Sequence, residues 1–263
     1  MRKEQIVKIG AQLFTVRKSC TTLEDFAETL KKVADIGYTT VQVSGTCDFD
    51  PTWLKGELDK NGLSCVLTHT RPDAILADPV KVCKDHDVFA CRHIGVGAMP
   101  RMEKDTGITD ADYDNFVANF MPVSKIFKEN GHKLFYHNHQ IEFARSGNGK
   151  LYMERLLEDF SPDLLGITFD TYWAQFGGAD PAAWLAKMDG RVECIHLKDL
   201  AIVGKEQRMA AVGRGNINFD AVLKVAETVG VNYLLVEQDT CYDEDPFDCL
   251  KQSYDYLVSL GLS

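Results

Sequence analysis

Short β-branched runs alternate with longer stretches of helical period along this chain, and the alternation repeats eight times without a break. Strand candidates fall at 7–13, 39–44, 64–69, 91–96, 133–138, 165–170, 192–197 and 232–237. Between them lie helical patterns such as Leu23, Phe26, Leu30 and Val33, with Thr22 placed to cap the first turn, and Phe116, Phe120, Val123 and Phe127. Parallel strands need crossover connections, which helices supply. Eight such units in 263 residues therefore predict a closed (β/α)8 TIM barrel, an α/β fold forming a single domain over 1–263. The competitor is an open doubly wound sheet, which usually carries a glycine-rich phosphate turn after its first strand. Here strand one runs into Gln12-Leu-Phe-Thr-Val-Arg17, and no Pro/Ser-rich linker divides the chain. The stretches 98–108 and 201–218 are the longest irregular pieces and read as loops over the catalytic face.

Composition narrows the function. A hydrophobic content of 45% supports a sizeable core, while a net charge of -10 with no local basic patch disfavours a nucleic-acid partner. Eight cysteines are spread without a CxxC pair, several inside apolar runs, which reads as reduced, buried thiols and a cytoplasmic protein. The N-terminal Met-Arg-Lys-Glu-Gln-Ile-Val-Lys lacks an apolar h-region, and no run of about eighteen uncharged apolar residues occurs, so neither secretion nor membrane insertion is expected.

A TIM barrel places its chemistry at the C-terminal ends of its strands, and the polar residues there are dense. Strand five runs out as Phe-Tyr-His137-Asn-His139-Gln-Ile-Glu142, strand six as Phe-Asp170-Thr-Tyr-Trp173, strand seven as Cys-Ile-His196-Leu-Lys198-Asp199 and strand eight as Val-Glu237-Gln-Asp239. Glu142, Asp170, His196 and Glu237 thus form a candidate divalent-metal site, mostly of oxygen donors. It suits Mn²⁺ best, with Mg²⁺, Co²⁺ or Zn²⁺ also compatible. A single carboxylate after a strand is more often a helix N-cap or a surface charge; agreement among four strand tips is what favours a site. Glu142 lies several residues beyond its apolar run, and His139 is the alternative ligand. His137 and His139 point to one side of an extended strand, as base or as donor to a sugar hydroxyl, with a buried structural histidine as the bland alternative. Lys198 shares a face with His196 and is a candidate to steady an enolate oxygen, or else a surface lysine. Gln12, His69, Trp173 and Arg214 complete the candidate substrate contacts, Arg214 being carried between two glycines in Val-Gly-Arg-Gly. Asp199 and Asp239 are candidates to orient the ligands.

The strings Tyr-His-Asn-His-Gln-Ile-Glu-Phe at 136–143, Phe-Asp-Thr-Tyr-Trp at 169–173, His-Leu-Lys-Asp at 196–199 and Val-Glu-Gln-Asp at 236–239 resemble the xylose-isomerase-like sugar phosphate isomerase/epimerase superfamily. The resemblance covers nearly the whole chain. It implies one divalent metal held by Glu, Asp, His and Glu in that order, which here fall on Glu142, Asp170, His196 and Glu237. In ketose 3-epimerases of that group the leading glutamate lies within strand five, where this chain has histidines. The His-Asn-His arrangement is closer to inosose dehydratases and to lyases that cleave 3-keto-glycosides. The chemistry implied is metal-assisted enediolate formation on a sugar, keto-sugar or cyclitol, ending in an epimer, an isomer or an elimination product. In that scheme His139 or a ligand glutamate, Glu142 or Glu237, moves the proton. The absence of a glycine-rich cradle favours a free or oxidised sugar over a phosphorylated one. A homo-oligomer is expected, with a hetero-partner subunit as the variant. Two rival readings are an endonuclease-IV-like hydrolase, which needs further metal ligands and a basic surface, and a non-catalytic or partner-dependent sugar-binding subunit.

Overall fold

Each of the eight apolar runs forms one strand of a closed parallel barrel in the computed structural model, which describes residues 7–102 and 107–262. The strands are β1 (Lys8–Gln12), β2 (Thr40–Val43), β3 (Ser64–His69), β4 (His93–Val96), β5 (Lys133–His137), β6 (Leu165–Asp170), β7 (Cys194–Leu197) and, last in the chain, β10 (Tyr233–Val236). Around the barrel they run β1-β10-β7-β6-β5-β4-β3-β2, closing where Gly10 pairs with Leu235. The N-terminal residues 1–6, on which the expectation of no leader segment rests in part, lie outside the described residues, as do 103–106 of the 98–108 loop.

One principal helix follows each strand: α1 (Leu23–Ile36), α2 (Pro51–Lys60), α4 (Pro79–Val88), α5 (Asp110–Glu129), α6 (Tyr152–Asp159), α8 (Pro181–Ala186), α9 (Phe219–Val229) and α10 (Pro246–Ser259). Short additional helices α3 (Pro72–Ala77) and α7 (Thr171–Phe176) precede α4 and α8. Thr22 caps α1 by accepting from the Asp25 amide, and Phe26, Leu30 and Val33 are buried, as their spacing requires. The same holds for Phe116, Phe120, Val123 and Phe127 of α5. No helix among the described residues is long and apolar enough to cross a membrane.

The stretch 201–218, expected as loop, is in part a hairpin: β8 (Asp199–Val203) pairs antiparallel with β9 (Glu206–Ala210) across Gly204-Lys205. Its outer half is exposed, with Ile202 and Val203 about half accessible, so the apolar burial that marks the barrel strands is missing.

Side chains alternate in and out along the strands, interrupted in β3 by a register shift at 65–67, so the barrel interior is built from two-residue ladders. Phe135 leads to His137, Cys194 to His196 and Lys198, and Leu235 to Glu237. Val66, Leu67, Phe135, Cys194 and Leu235 form a small apolar cluster separate from the main sheet–helix core. Gly166 makes room for it, since a Cβ there would lie 2.4 Å from the Phe135 ring. The apolar plug sits one rung below the polar groups, on a backbone held on both sides by neighbouring strands.

Candidate metal centre and active site

His137, Asp170, His196 and Glu237 end adjacent inward ladders, and one ligand atom from each lies within 4.8 Å of the others. All four side chains are buried. The Nδ1 of His137 donates to the Gly97 carbonyl (3.0 Å), which leaves its Nε2 lone pair facing Asp170 Oδ2 at 3.3 Å. The Nε2 of His196 donates to Gln42 Oε1 (2.6 Å), so Nδ1 is the free nitrogen and approaches Glu237 Oε2 at 2.9 Å and Asp170 Oδ2 at 3.8 Å. Neither His196 Nδ1 nor Glu237 Oε2 has a partner in hydrogen-bond geometry, although both are buried. Buried polar atoms are normally hydrogen-bonded, so an imidazole nitrogen and a carboxylate oxygen brought to one point with only ion-pair contacts there fit a cation in that place. Asp170 serves twice: Oδ1 accepts from the Trp173 amide (2.8 Å) as the N-cap of α7, and Oδ2 is left for the cluster. Its own amide donates to Asn138 Oδ1 (2.9 Å), tying β5 to β6 at the rung where both contribute a ligand.

The buried group of four differs from the expected ligand set at its first member. Glu142 is buried, but the 3-10 turn Gln140–Phe143 swings its carboxylate back, where one oxygen accepts from the Tyr136 hydroxyl and the other from the His139 amide. Burial raises its pKa to about 7. Both oxygens are therefore spent on holding the His139 turn, and His137 takes the place given to Glu142 in the group of four.

Lys198 is fully buried, with its ammonium 3.1 Å from Asp170 Oδ2, 2.9 Å from Glu237 Oε2 and 2.9 Å from Asp239 Oδ1. Burial opposes its charge, yet the three carboxylates outweigh burial and raise its pKa. Asp170 and Glu237 show the converse: burial pushes them up, and Lys198 with the neighbouring histidines holds them well below the usual carboxylate range. His196 is lifted to about 9, because Glu237 and Asp170 overcome its burial. His139 is lowered to about 3, by burial first and then by His137 and Lys198, and His69 is lowered well below its ordinary value by burial, His137 and His196. Both are neutral at pH 7, and each keeps a buried ring nitrogen without a partner: Nδ1 of His139 and Nε2 of His69.

These groups floor a cavity of about 630 Å³ lined by His69, His137, His139, Lys198, Glu237 and Asp239, with walls from 70–72 and 97–101. Trp173 stands behind the floor, its ring 5.3 Å from both the His139 ring and the Lys198 nitrogen. Gln12 is buried but does not line the cavity; its Oε1 accepts from the Phe14 amide to cap the 3-10 turn Leu13–Ser19. Arg214 is exposed and also absent from the lining, because its loop is drawn inward through backbone instead. The Asp199 carboxylate accepts from the amides of Gly213, Gly215 and Ile217, so the flanking glycines serve Asp199 and leave Arg214 facing out. Gln42, which orients His196, escapes the sequence reading; the signal available was a glutamine flanked by valines at the end of β2.

A family model described as a xylose isomerase-like TIM barrel matches residues 30–258. Inosose dehydratase from Geobacillus kaustophilus (strain HTA426) is 26% identical over 273 residues, spanning 89% of this chain and 86% of that protein. Among solved structures, a sugar phosphate isomerase/epimerase from Parabacteroides distasonis superposes with a TM-score of 0.77 at 22% identity, over 98% of this chain and 97% of that one. A probable 3-DHS dehydratase involved in petrobactin synthesis from Bacillus anthracis gives 0.72 at 13% identity, over 96% and 99%. At such identities the solved structures speak for the fold alone.

Proposed function

Because the chain belongs to the xylose isomerase-like TIM barrel family, we propose that it is a divalent-metal-dependent enzyme that enolises a keto-sugar or keto-cyclitol and eliminates a β-oxygen from it. The observation that carries this reading is the convergence of His137, Asp170, His196 and Glu237 beneath a cavity that also exposes a neutral histidine and a buried ammonium. Two imidazole nitrogens and two carboxylate oxygens suit a borderline cation, so Mn²⁺ is the proposed ion, with Co²⁺ and Zn²⁺ ahead of Mg²⁺. When bound there, such an ion polarises a substrate carbonyl and acidifies the adjacent C–H.

The remaining work falls to the chain's own side chains. His139 is unprotonated, and its open Nδ1 is the proposed acceptor of the carbon-bound proton. Lys198 brings a charged donor to the oxygen on which negative charge develops, or to the departing hydroxyl. His69, neutral and with an open Nε2, is placed to hydrogen-bond a substrate hydroxyl from the opposite wall. Elimination is favoured over epimerisation by the relatives named inosose dehydratase and by the histidine that stands in strand five where ketose 3-epimerases carry glutamate.

The test is elemental analysis followed by incubation with Mn²⁺ and keto-inositols, 3-keto-glycosides or keto-sugars in D₂O. Water loss or aglycone release, with deuterium at the carbon next to the carbonyl in recovered substrate, supports the reading. Recovery of an epimer as the main product overturns the elimination branch. No bound metal and no exchange overturns the proposal as a whole.

A further inference from the structure

The two oxygens that face the centre of the metal cluster, Asp170 Oδ2 and Glu237 Oε2, are also the two that Lys198 touches. The hydrogen bonds of the ammonium go to Asp239, whose two oxygens lie 2.9 and 3.1 Å away, while Asp170 Oδ2 and Glu237 Oε2 are in ion-pair contact with it at 3.1 and 2.9 Å. Asp239 stands outside the group of four, is 20% accessible, and lines the cavity rather than the barrel interior. Its main-chain carbonyl accepts from Arg17 Nη1 (3.0 Å), which fixes the backbone beneath the carboxylate. Lys198 is held from the other side by Thr171, whose hydroxyl donates to the Lys198 carbonyl (2.9 Å) and accepts from its amide.

From this arrangement we propose that Lys198 is a tethered cation competing with the divalent ion for Asp170 and Glu237, and that Asp239 is the positioning residue that draws the ammonium aside. The inference rests on the metal reading above and concerns how that site is loaded. Like charges a few ångströms apart in a buried site repel strongly, so an ion entering between Asp170 and Glu237 must reduce the hold of the ammonium on those oxygens. Asp239 supplies two acceptor oxygens to which the ammonium can retire without leaving the pocket or losing its charge. A carboxylate at 239 then serves the metal through the lysine, and loading turns Lys198 toward the cavity, where substrate oxygens lie.

Two mechanisms make different predictions in a double-mutant cycle read by Mn²⁺ affinity alone, without substrate, using calorimetry and the electron-paramagnetic signal of free Mn²⁺. If Asp239 acts through Lys198, Asp239→Asn weakens Mn²⁺ binding about tenfold or more, within the range for outer-shell changes. Lys198→Met tightens it, and adding Asp239→Asn to Lys198→Met then changes little. If Asp239 acts only as one more negative charge, Asp239→Asn weakens binding by the same factor in both backgrounds, and the proposal falls. Asp239→Glu keeps an acceptor for the ammonium and should hold affinity near wild type, so the proposal stays testable if Lys198→Met fails to fold. Equal loss in Asp239→Glu and Asp239→Asn overturns it. A wild-type chain that binds Mn²⁺ while Asp239→Asn is unchanged overturns this inference alone, whereas a wild-type chain that binds none overturns the metal reading with it.

Discussion

Both ends of the barrel carry a histidine, a lysine and a glutamate in mutual contact, yet the two trios have opposite characters. At the N-terminal end, Glu193 receives His93 Nε2 at 3.0 Å and Lys133 Nζ at 3.1 Å, with side chains 15–31% accessible. The other nitrogen of His93 donates to the Val66 carbonyl (2.9 Å), so the imidazole is satisfied on both sides. At the C-terminal end, His196, Lys198 and Glu237 are 0–4% accessible, and two of their polar atoms lack a hydrogen bond. The same residue types therefore make a structural ion cluster where they are wet and mutually satisfied, and a candidate reactive centre where they are dry and left incomplete.

Substitutions at the two ends sharpen that contrast. Glu237→Gln should abolish turnover and lower Mn²⁺ affinity by more than the roughly 10–100-fold that an outer-shell change costs, with an unchanged far-UV spectrum. A fully active Glu237→Gln protein would sink the assignment. His139→Asn should reduce kcat by about 10²–10⁴-fold while Mn²⁺ affinity stays nearly constant, as for loss of a general base; equal loss of both would make His139 a ligand. Gln42→Leu frees His196 Nε2 and should weaken Mn²⁺ binding about 10–100-fold by calorimetry, whereas an unchanged affinity would show that the tautomer is fixed by other means. Glu193→Gln, at the other end, should leave Mn²⁺ binding and turnover intact and cost about 1 kcal/mol or less in a denaturant titration, given its partial exposure.

Acid provides a further test in a third region. His86 is buried between Thr68 and the Val82 carbonyl, and burial lowers its pKa to about 4. The unfolded chain takes up this proton near pH 6.5 and the folded chain only near 4, so the stability it contributes is present above 6.5 and lost as pH falls between those values. The loss is about 3 kcal/mol for that shift. His69 and His139 act with the same sign. Thermal unfolding from pH 7 to 4 should show the decline, and His86→Gln should flatten part of it; an identical slope in the variant would assign the effect elsewhere.

Much of this architecture was legible from residue order. All eight strand windows contain their strands, because fully buried parallel strands must be continuous apolar runs and the charges that end them mark the open face. Asp170, His196 and Glu237 share one buried group for that reason: each follows its run directly. Glu142 stands outside that group because a residue five positions beyond β5 has no direction until the intervening turn is known, and that turn folds it onto Tyr136. His137 was assigned to substrate because an imidazole at a strand tip serves either role, and its tautomer depends on the Gly97 carbonyl of a neighbouring strand's loop. Gln42 and the Lys198–Asp239 contact join residues 154 and 41 positions apart from their partners, which no local pattern reports.

The loop gathered around Asp199 bears on how the cavity could be redesigned. With four amides converging on one carboxylate, three of them from residues 213–217, and a Cβ at Gly215 lying 2.3 Å from the Leu200 carbonyl, this loop offers an engineer freedom only at the outward Arg214 and Asn216. The wall at 97–101 is tied at its end instead, where the buried Asp112 carboxylate accepts from the Met102 amide (2.9 Å). Substitution at 98–101 is the economical way to reshape the cavity, provided Gly97 is kept, since its carbonyl holds His137 and a Cβ there would lie 2.9 Å from His69 Nδ1.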